Sequence, residues 1–135
     1  MTRAVVESVG FAIRDVLEVM GENALTVAEL AVTGGQARSP VWNQIRADIT
    51  GRPIRVPEVM DAELLGDAIV GLYALGRYPT LASAANALVR FGREYTPRPE
   101  LAGPYDELFQ LYREAYRGLK ETFARLAHVR FKEDS

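Results

Sequence analysis

Apolar positions along the chain fall into runs whose period switches between helical and extended. From Thr2 to Met20, Val5, Val6, Val9, Ile13, Val16, Leu17 and Met20 recur at three and four, which predicts a helix buried along one side. Gly21 and Asn23 are its expected stop. Leu25–Val32 is β-rich, with Val27, Leu30 and Val32 leading into Thr33-Gly34-Gly35, and predicts a buried strand ending in a glycine turn. Ser39-Pro40 supplies an N-cap and a first-turn proline, so a helix is expected through Trp42, Ile45 and Ile49 to Gly51. Pro53-Ile54-Arg55-Val56-Pro57, bounded by prolines, reads as a short strand near a sheet edge or end. Asp61 is placed to cap a helix running through Leu64, Leu65, Ala68, Ile69, Leu72 and Leu75 to Gly76. Thr80 is placed to cap another, through Leu81, Ala84, Ala85, Leu88 and Val89 towards Gly92. Arg93–Gly103, with Pro97 and Pro99 among charges, reads as an exposed connection. The last helix, from about Pro104 to Ala127, puts Tyr105, Leu108, Phe109, Tyr112, Tyr116, Leu119, Phe123 and Leu126 on one face, a packing surface rather than a base-stacking platform. A tail from about residue 128, and Lys132–Ser135 above all, is expected to fray.

The predicted order is therefore helix, strand, helix, strand, then a run of helices: an α/β fold. Two strands do not make a self-sufficient sheet, and a parallel pair normally has further strands beside it and helices on both faces. The chain accordingly reads as a piece of a larger α/β domain. Its unpaired edges and uncovered apolar surface lead us to expect a homo-oligomer or a marginally stable monomer.

Composition narrows the function. A length of 135 residues allows a single core. The net charge of -2 argues against a general nucleic-acid binder. No cysteine is present, which excludes disulfides and thiolate metal sites. The single histidine, His128, lies among charged residues near the C-terminus and reads as a solvated side chain. No apolar run approaches the roughly 20 residues of a membrane span, and the first residues lack a signal-peptide pattern. A cytoplasmic setting is expected.

The richest stretch for chemistry is Val32-Thr33-Gly34-Gly35-Gln36-Ala37-Arg38-Ser39-Pro40-Val41-Trp42-Asn43-Gln44-Ile45: a strand, glycines, then a helix start. Glycines without Cβ let a flat ligand approach the backbone, and polar residues after them face the crevice at the strand ends. No lysine follows at the spacing of a Walker loop, and the third glycine of a dinucleotide fingerprint is absent.

The run Thr33-Gly34-Gly35-Gln36-Ala37-Arg38-Ser39, with Trp42, Gln44-Ile45, Ala47-Asp48-Ile49 and Gly51, resembles the adenosine motif of the FGGY carbohydrate kinases, a family that includes xylulokinases, gluconate kinases and glycerol kinases. Upstream, Arg3–Phe11 resembles the helix before that motif. Downstream, Glu58, Asp61–Ala68 and Gly76-Arg77-Tyr78 resemble the helix and turn after it. The likeness extends over about residues 3–127, and residues 1–135 read as a partial C-terminal domain of a xylulokinase-like member.

The resemblance implies a ribonuclease-H-like lobe of the actin–hexokinase superfamily that binds ATP, with Mg2+ in the parent enzyme. Carried over, Gly34, Gly35 and Gln36 approach the adenosine and α-phosphate, Ser39 stands near the adenine, and Asn43, one helical turn on, is a weaker contact. Gln36 and Asp67 depart from the family pattern, which has small residues there. Asp67 reads as a helix-face or interlobe residue, and Asp48 as a structural hydrogen-bonding group rather than a metal ligand. The family's sugar-binding residues and general-base aspartate belong to an N-terminal lobe, and its phosphate loops also precede the matched region. The parent activity implied is ATP-dependent phosphorylation of a sugar such as xylulose, and these residues alone are expected to be inactive. The alternative function is a non-catalytic adenine-nucleotide-binding or helical interaction module.

Overall fold

The computed structural model describes residues 2–129 and forms an α/β arrangement. In chain order it contains α1 (Thr2–Glu22), β1 (Leu30–Ala31), α2 (Pro40–Thr50), β2 (Ile54–Pro57), α3 (Ala62–Ala74), α4 (Leu81–Leu88), β3 (Phe91–Tyr95) and α5 (Ala102–Leu126). Short 3-10 turns at Gly35–Arg38 and Pro99–Leu101 lead into α2 and α5.

The sheet has the order β1-β2-β3. β1 and β2 are parallel neighbours, with Leu30 opposite Ile54 and Ala31 opposite Arg55, as the period switch predicts. Three expectations need correction. The strand expected over Leu25–Val32 pairs only at its end, where Leu30 N–H donates to Pro53 O and Val32 N–H to Arg55 O. The preceding residues are held from the side, Val27 O accepting from Arg52 Nε at 2.8 Å and Glu29 pairing with Arg55 at 2.9 Å. β2 is the central strand rather than an edge. Its prolines fit because Pro53 contributes only its carbonyl, and Pro57 stands at a register shift opposite Phe91. The strand on its far side, β3, lies partly in the stretch read as a connection, and pairs antiparallel with Tyr95 opposite Ile54.

A buried cluster lies among the helices, beside the buried Ile54 and Val56 of β2. α1 packs along α2, and α5 lies against α2 and meets α1 through the rings of Tyr105, Phe109 and Tyr112 on Phe11. Phe11, Ile45, Ile49, Tyr105 and Phe109 form the buried cluster, with Val6, Leu101 and Tyr112 against it. Close approach of α1 to α2 depends on Gly10, where an added Cβ would stand 2.7 Å from Ile49 Cδ1. The aromatic stripe of α5 therefore has two fates: Tyr105 and Phe109 are buried, whereas Tyr116, Leu119, Phe123 and Leu126 are exposed.

Most helix ends follow the sequence. Ser39 Oγ accepts from Trp42 N–H at 3.3 Å with Pro40 in the first turn, and Gly51 closes α2 at φ 63°. Thr80 and Ser83 form a reciprocal capping box at the start of α4. Asp61 stands at the start of α3 without a side-chain cap bond. α1 ends on an alanine: Ala24 takes φ 60°, with Leu25 N–H on Met20 O and Ala24 N–H on Gly21 O. That is a Schellman closure whose left-handed residue is usually glycine. The expected frayed end at Lys132–Ser135 lies outside the described residues.

Candidate functional site

β1 ends at Ala31, and Val32–Ser39 carry the chain through the 3-10 turn into α2. Gly34 adopts φ 79°, ψ -173°, a region that essentially only glycine occupies. Its N–H points to Met60 O at 3.4 Å, which ties the turn to the chain leaving β2. Both parallel strands therefore discharge at one edge, the place where open α/β sheets bind ligands. Cβ atoms added at Gly34 or Gly35 would meet nothing within 4 Å, so both backbones face open space.

The 3-10 turn is fastened underneath. Ala37 is buried, with its N–H on Gly34 O, and Ser39 N–H reaches Gln36 O. Asn43 is fully buried, and its Nδ2 donates to Ala37 O at 2.7 Å. It thus lies beneath the turn rather than in the open space above it. Its Oδ1 is left without a partner, as are the buried donors Trp42 Nε1 and Arg46 Nε on the same helix.

The residues proposed from sequence do not share one cavity. Gly34, with Thr33, Met60 and Asp61, lines a concavity of about 320 Å³. On the other side of the turn, Ala37 and Arg38 line a space of about 540 Å³ with Pro57, Glu58, Gly92 and Arg93. Ser39 opens onto a mostly apolar hollow of about 300 Å³ with Val6, Trp42 and Ile45. Since its Oγ accepts the cap bond, its hydroxyl hydrogen is free to be donated. Gln36 is exposed, and its Oε1 accepts from Arg46 Nη2.

Sequence reasoning missed Arg46. It is 4% exposed, with its guanidinium 4.8 Å above the Trp42 ring, and burial lowers its pKa from the ordinary arginine value. The one available signal is its place four residues after Trp42, on the same helix face.

Asp48 is structural. Its side chain is 0% exposed and accepts from Gln44 Nε2, from the Arg98 backbone N–H and from Arg98 Nε and Nη2. This brace links α2 to the segment after β3 and keeps the helix that starts at the turn in register with the sheet. Asp67 lies on an exposed part of α3. Among the described residues no cluster of three or more His, Asp or Glu side chains is arranged to hold a metal ion.

The glycine turn at the parallel strand ends is the setting in which the adenosine motif is expected, and comparison with known proteins decides the family. The C-terminal domain of the FGGY family of carbohydrate kinases matches residues 1–75. This chain belongs to that family.

Curated relatives include an autoinducer-2 kinase of Enterobacter sp., 39% identical over 94 residues, covering 70% of this chain and 18% of the relative. An erythritol kinase of Brucella abortus is 35% identical over 129 residues, covering 94% of this chain and 24% of the relative. Among solved structures, a ligand-bound xylulose kinase from Lactobacillus acidophilus superposes with a TM-score of 0.83 at 26% identity, over 93% of this chain and 26% of that one. The chain thus spans about a fifth to a quarter of the length of these FGGY kinases, in the actin–hexokinase (ribonuclease-H-like) fold.

Proposed function

We propose that this FGGY chain supplies the adenine-nucleotide side of an ATP-dependent sugar kinase, with Gly34, Gly35, Gln36 and Ser39 facing the nucleotide and Asn43 bracing the turn beneath them. The observation that carries the reading is the Gly34–Gly35 turn: a glycine-only backbone conformation and two open Cβ directions, at the shared C-terminal edge of a parallel strand pair. A planar base and its sugar can lie on such a backbone, which any side chain would hold off. Membership of the FGGY carbohydrate kinases supplies the chemical class, transfer of a phosphoryl group from ATP to a carbohydrate. Residues 76–129 continue the same lobe, supported by the extent of the superposition.

Mg2+ would come with the nucleotide, held by its phosphates and by residues elsewhere in the parent. That fits a chain whose described residues gather no carboxylate cluster, since Mg2+ in kinases is usually shared between one or two carboxylates and substrate phosphates. The sugar is proposed to be a short polyhydroxy compound, with xylulose among the candidates, because the relatives are named for erythritol, autoinducer-2 and xylulose. Phosphoryl transfer needs metal, phosphate clamps and a positioned nucleophile together. We therefore infer no turnover from these 135 residues alone, and sugar phosphorylation by them would overturn that inference. Among the described residues no helix is long and apolar enough to cross a membrane, and we propose a cytoplasmic setting.

ATP titration followed by amide chemical shifts tests the site. Without the phosphate loops the dissociation constant is expected in the millimolar range, about -4 kcal/mol. Saturable shifts should centre on Thr33–Asn43 and disappear in Gly35→Val, whose Cβ enters open space with no protein atom within 4 Å. Equal shifts in the wild type and Gly35→Val refute the site.

A second reading, an interaction module, is favoured by the exposed Tyr116, Leu119, Phe123 and Leu126 of α5. Ligand shifts centred there instead would support it. Self-association belongs to both readings, and a cooperative, well-folded monomer in sedimentation at micromolar concentration argues against it.

A further inference from the structure

Arg46 occupies a position that ordinarily rejects a charge. None of the ion pairs of the described residues involves it, although its residue is almost wholly buried. A buried cation without a carboxylate is costly, and stacking on Trp42 recovers only part of that cost. The side-chain acceptor it has is Gln36 Oε1, on the open turn.

The chemistry of this contact fixes which way Gln36 points. A guanidinium carries donors and no acceptor, so only the amide oxygen of Gln36 can face it. The Nε2 end, with two donors, is turned away from Arg46 and makes no hydrogen bond among the described residues, on a side chain that is exposed. Withdrawal of electron density from Oε1 by the cation makes those N–H groups stronger donors. An anionic oxygen is the acceptor that gains most from such a donor.

We propose that Arg46 is a positioning residue of the nucleotide site: by holding Gln36 Oε1, it aims the Gln36 Nε2 donors at a phosphate oxygen of the bound nucleotide. This rests on the reading of the Gly34–Gly35 turn as a nucleotide site. It also gives a role to Gln36, which stands where the family pattern has a small residue. Arg46 contacts no ligand itself; it sets the orientation and polarity of the residue that does.

The experiment uses the whole 135-residue chain with ADP and adenosine as probes, read by amide and side-chain chemical shifts. Gln36→Ala should weaken ADP about tenfold, the loss expected for one hydrogen bond to a charged group, and change adenosine less than about twofold. Arg46→Met should weaken ADP in the same direction and move the Gln36 side-chain amide signal in the free protein, while Arg46→Lys, still a donor, should recover part of the affinity. Gln36→Glu separates positioning from mere structural support. A carboxylate beside the buried Arg46 should raise Tm, yet weaken ADP at least as much as Gln36→Ala, because a negative charge replaces the donor. ADP affinity unchanged in Gln36→Ala and Gln36→Glu overturns the proposal, and so does an equal loss for adenosine and ADP. Gln36→Glu keeps an acceptor for Arg46, so it decides the matter even where Gln36→Ala or an Arg46 variant fails to fold. A wild-type chain that shows no ADP-dependent shift at the turn instead refutes the nucleotide site on which the proposal rests.

Discussion

Asp48→Ala should destabilise the chain by about 2–3 kcal/mol without touching the glycine turn itself. The Asp48 carboxylate is fully buried, and its Oδ1 accepts from the Arg98 backbone N–H and Gln44 Nε2, each at 2.9 Å. The magnitude comes chiefly from the backbone donor. A charge-assisted hydrogen bond is worth about 1.5–3 kcal/mol, and removing its acceptor leaves the donor unsatisfied. Gln44 retains Thr96 O at 2.8 Å, so its loss is smaller. The Arg98 guanidinium bonds Oδ2 at 2.6 Å but is 49% exposed, so water replaces the carboxylate and screening keeps its share low. Asp48→Asn should lie between: its oxygen can still accept, but its Nδ2 then meets donors only.

Burial alone pushes the Asp48 pKa up; hydrogen bonds from the Arg98 side chain, the Arg98 backbone and Gln44 outweigh it, and the net direction is down. A carboxylate depressed in the folded state contributes stability above its unfolded pKa, about 3.9, and loses it as pH falls through the native value. The gap between wild type and Asp48→Asn should therefore be full at neutral pH, shrink below about pH 4, and close below the native pKa. Urea unfolding followed by far-UV circular dichroism, repeated across pH, measures both. A cost for Asp48→Ala below about 0.5 kcal/mol, or a gap that grows on acidification, would show that the brace does not hold α2 to the sheet.

Gly10→Ala should destabilise by about 0.5–2 kcal/mol despite the better helix propensity of alanine, because overpacking at Ile49 costs about 1–3 kcal/mol; chemical denaturation measures it, and Ile49→Val in the same chain should recover part of the loss. Ala24→Gly should stabilise by up to about 1 kcal/mol, since φ 60° then carries no Cβ penalty. A fall in Tm for Ala24→Gly would show that the left-handed closure of α1 is wrong.

Sequence was legible wherever a local interaction fixes the local geometry. Ser39-Pro40, Gly51, Gly76 and Thr80 each satisfy a helix end with their own backbone or side chain, and each stands where the pattern puts it. Ala24 did not read as a helix end because the residue in the left-handed position is an alanine, and the nearby Gly21 drew the boundary instead. β3 was illegible for a different reason. Phe91-Gly92-Arg93-Glu94-Tyr95 is exposed or half-buried throughout, so its strand character lies in the ladder with β2 and not in a buried alternation. The glycine turn could be read, and so could its capped helix, because both are local. The support beneath them could not: the Arg46–Gln36 contact spans ten residues and the Asp48–Arg98 brace fifty, and a charge between Ile45 and Ala47 looks like an ordinary solvated one.

Periodicity has a matching limit on the apolar side: it shows which face of a helix avoids water but not what covers that face. α3 has a helical pattern, yet none of its residues is buried, and Leu64 and Val70 are exposed by more than half. Exposure on that scale costs nothing in helix formation itself, which depends on the backbone ladder and on packing against α4. It does leave apolar area whose burial elsewhere would be worth about 25 cal/mol per Å². The relatives are about four to six times longer than the matched region, and we propose that further chain of that kind covers this face. The glycine turn needs no such cover, since it is built by one strand end, a 3-10 turn and a helix start braced within the described residues. The proposed nucleotide contact at the turn and the cover of α3 and the outer half of α5 are therefore separable questions, and the first can be measured on this chain.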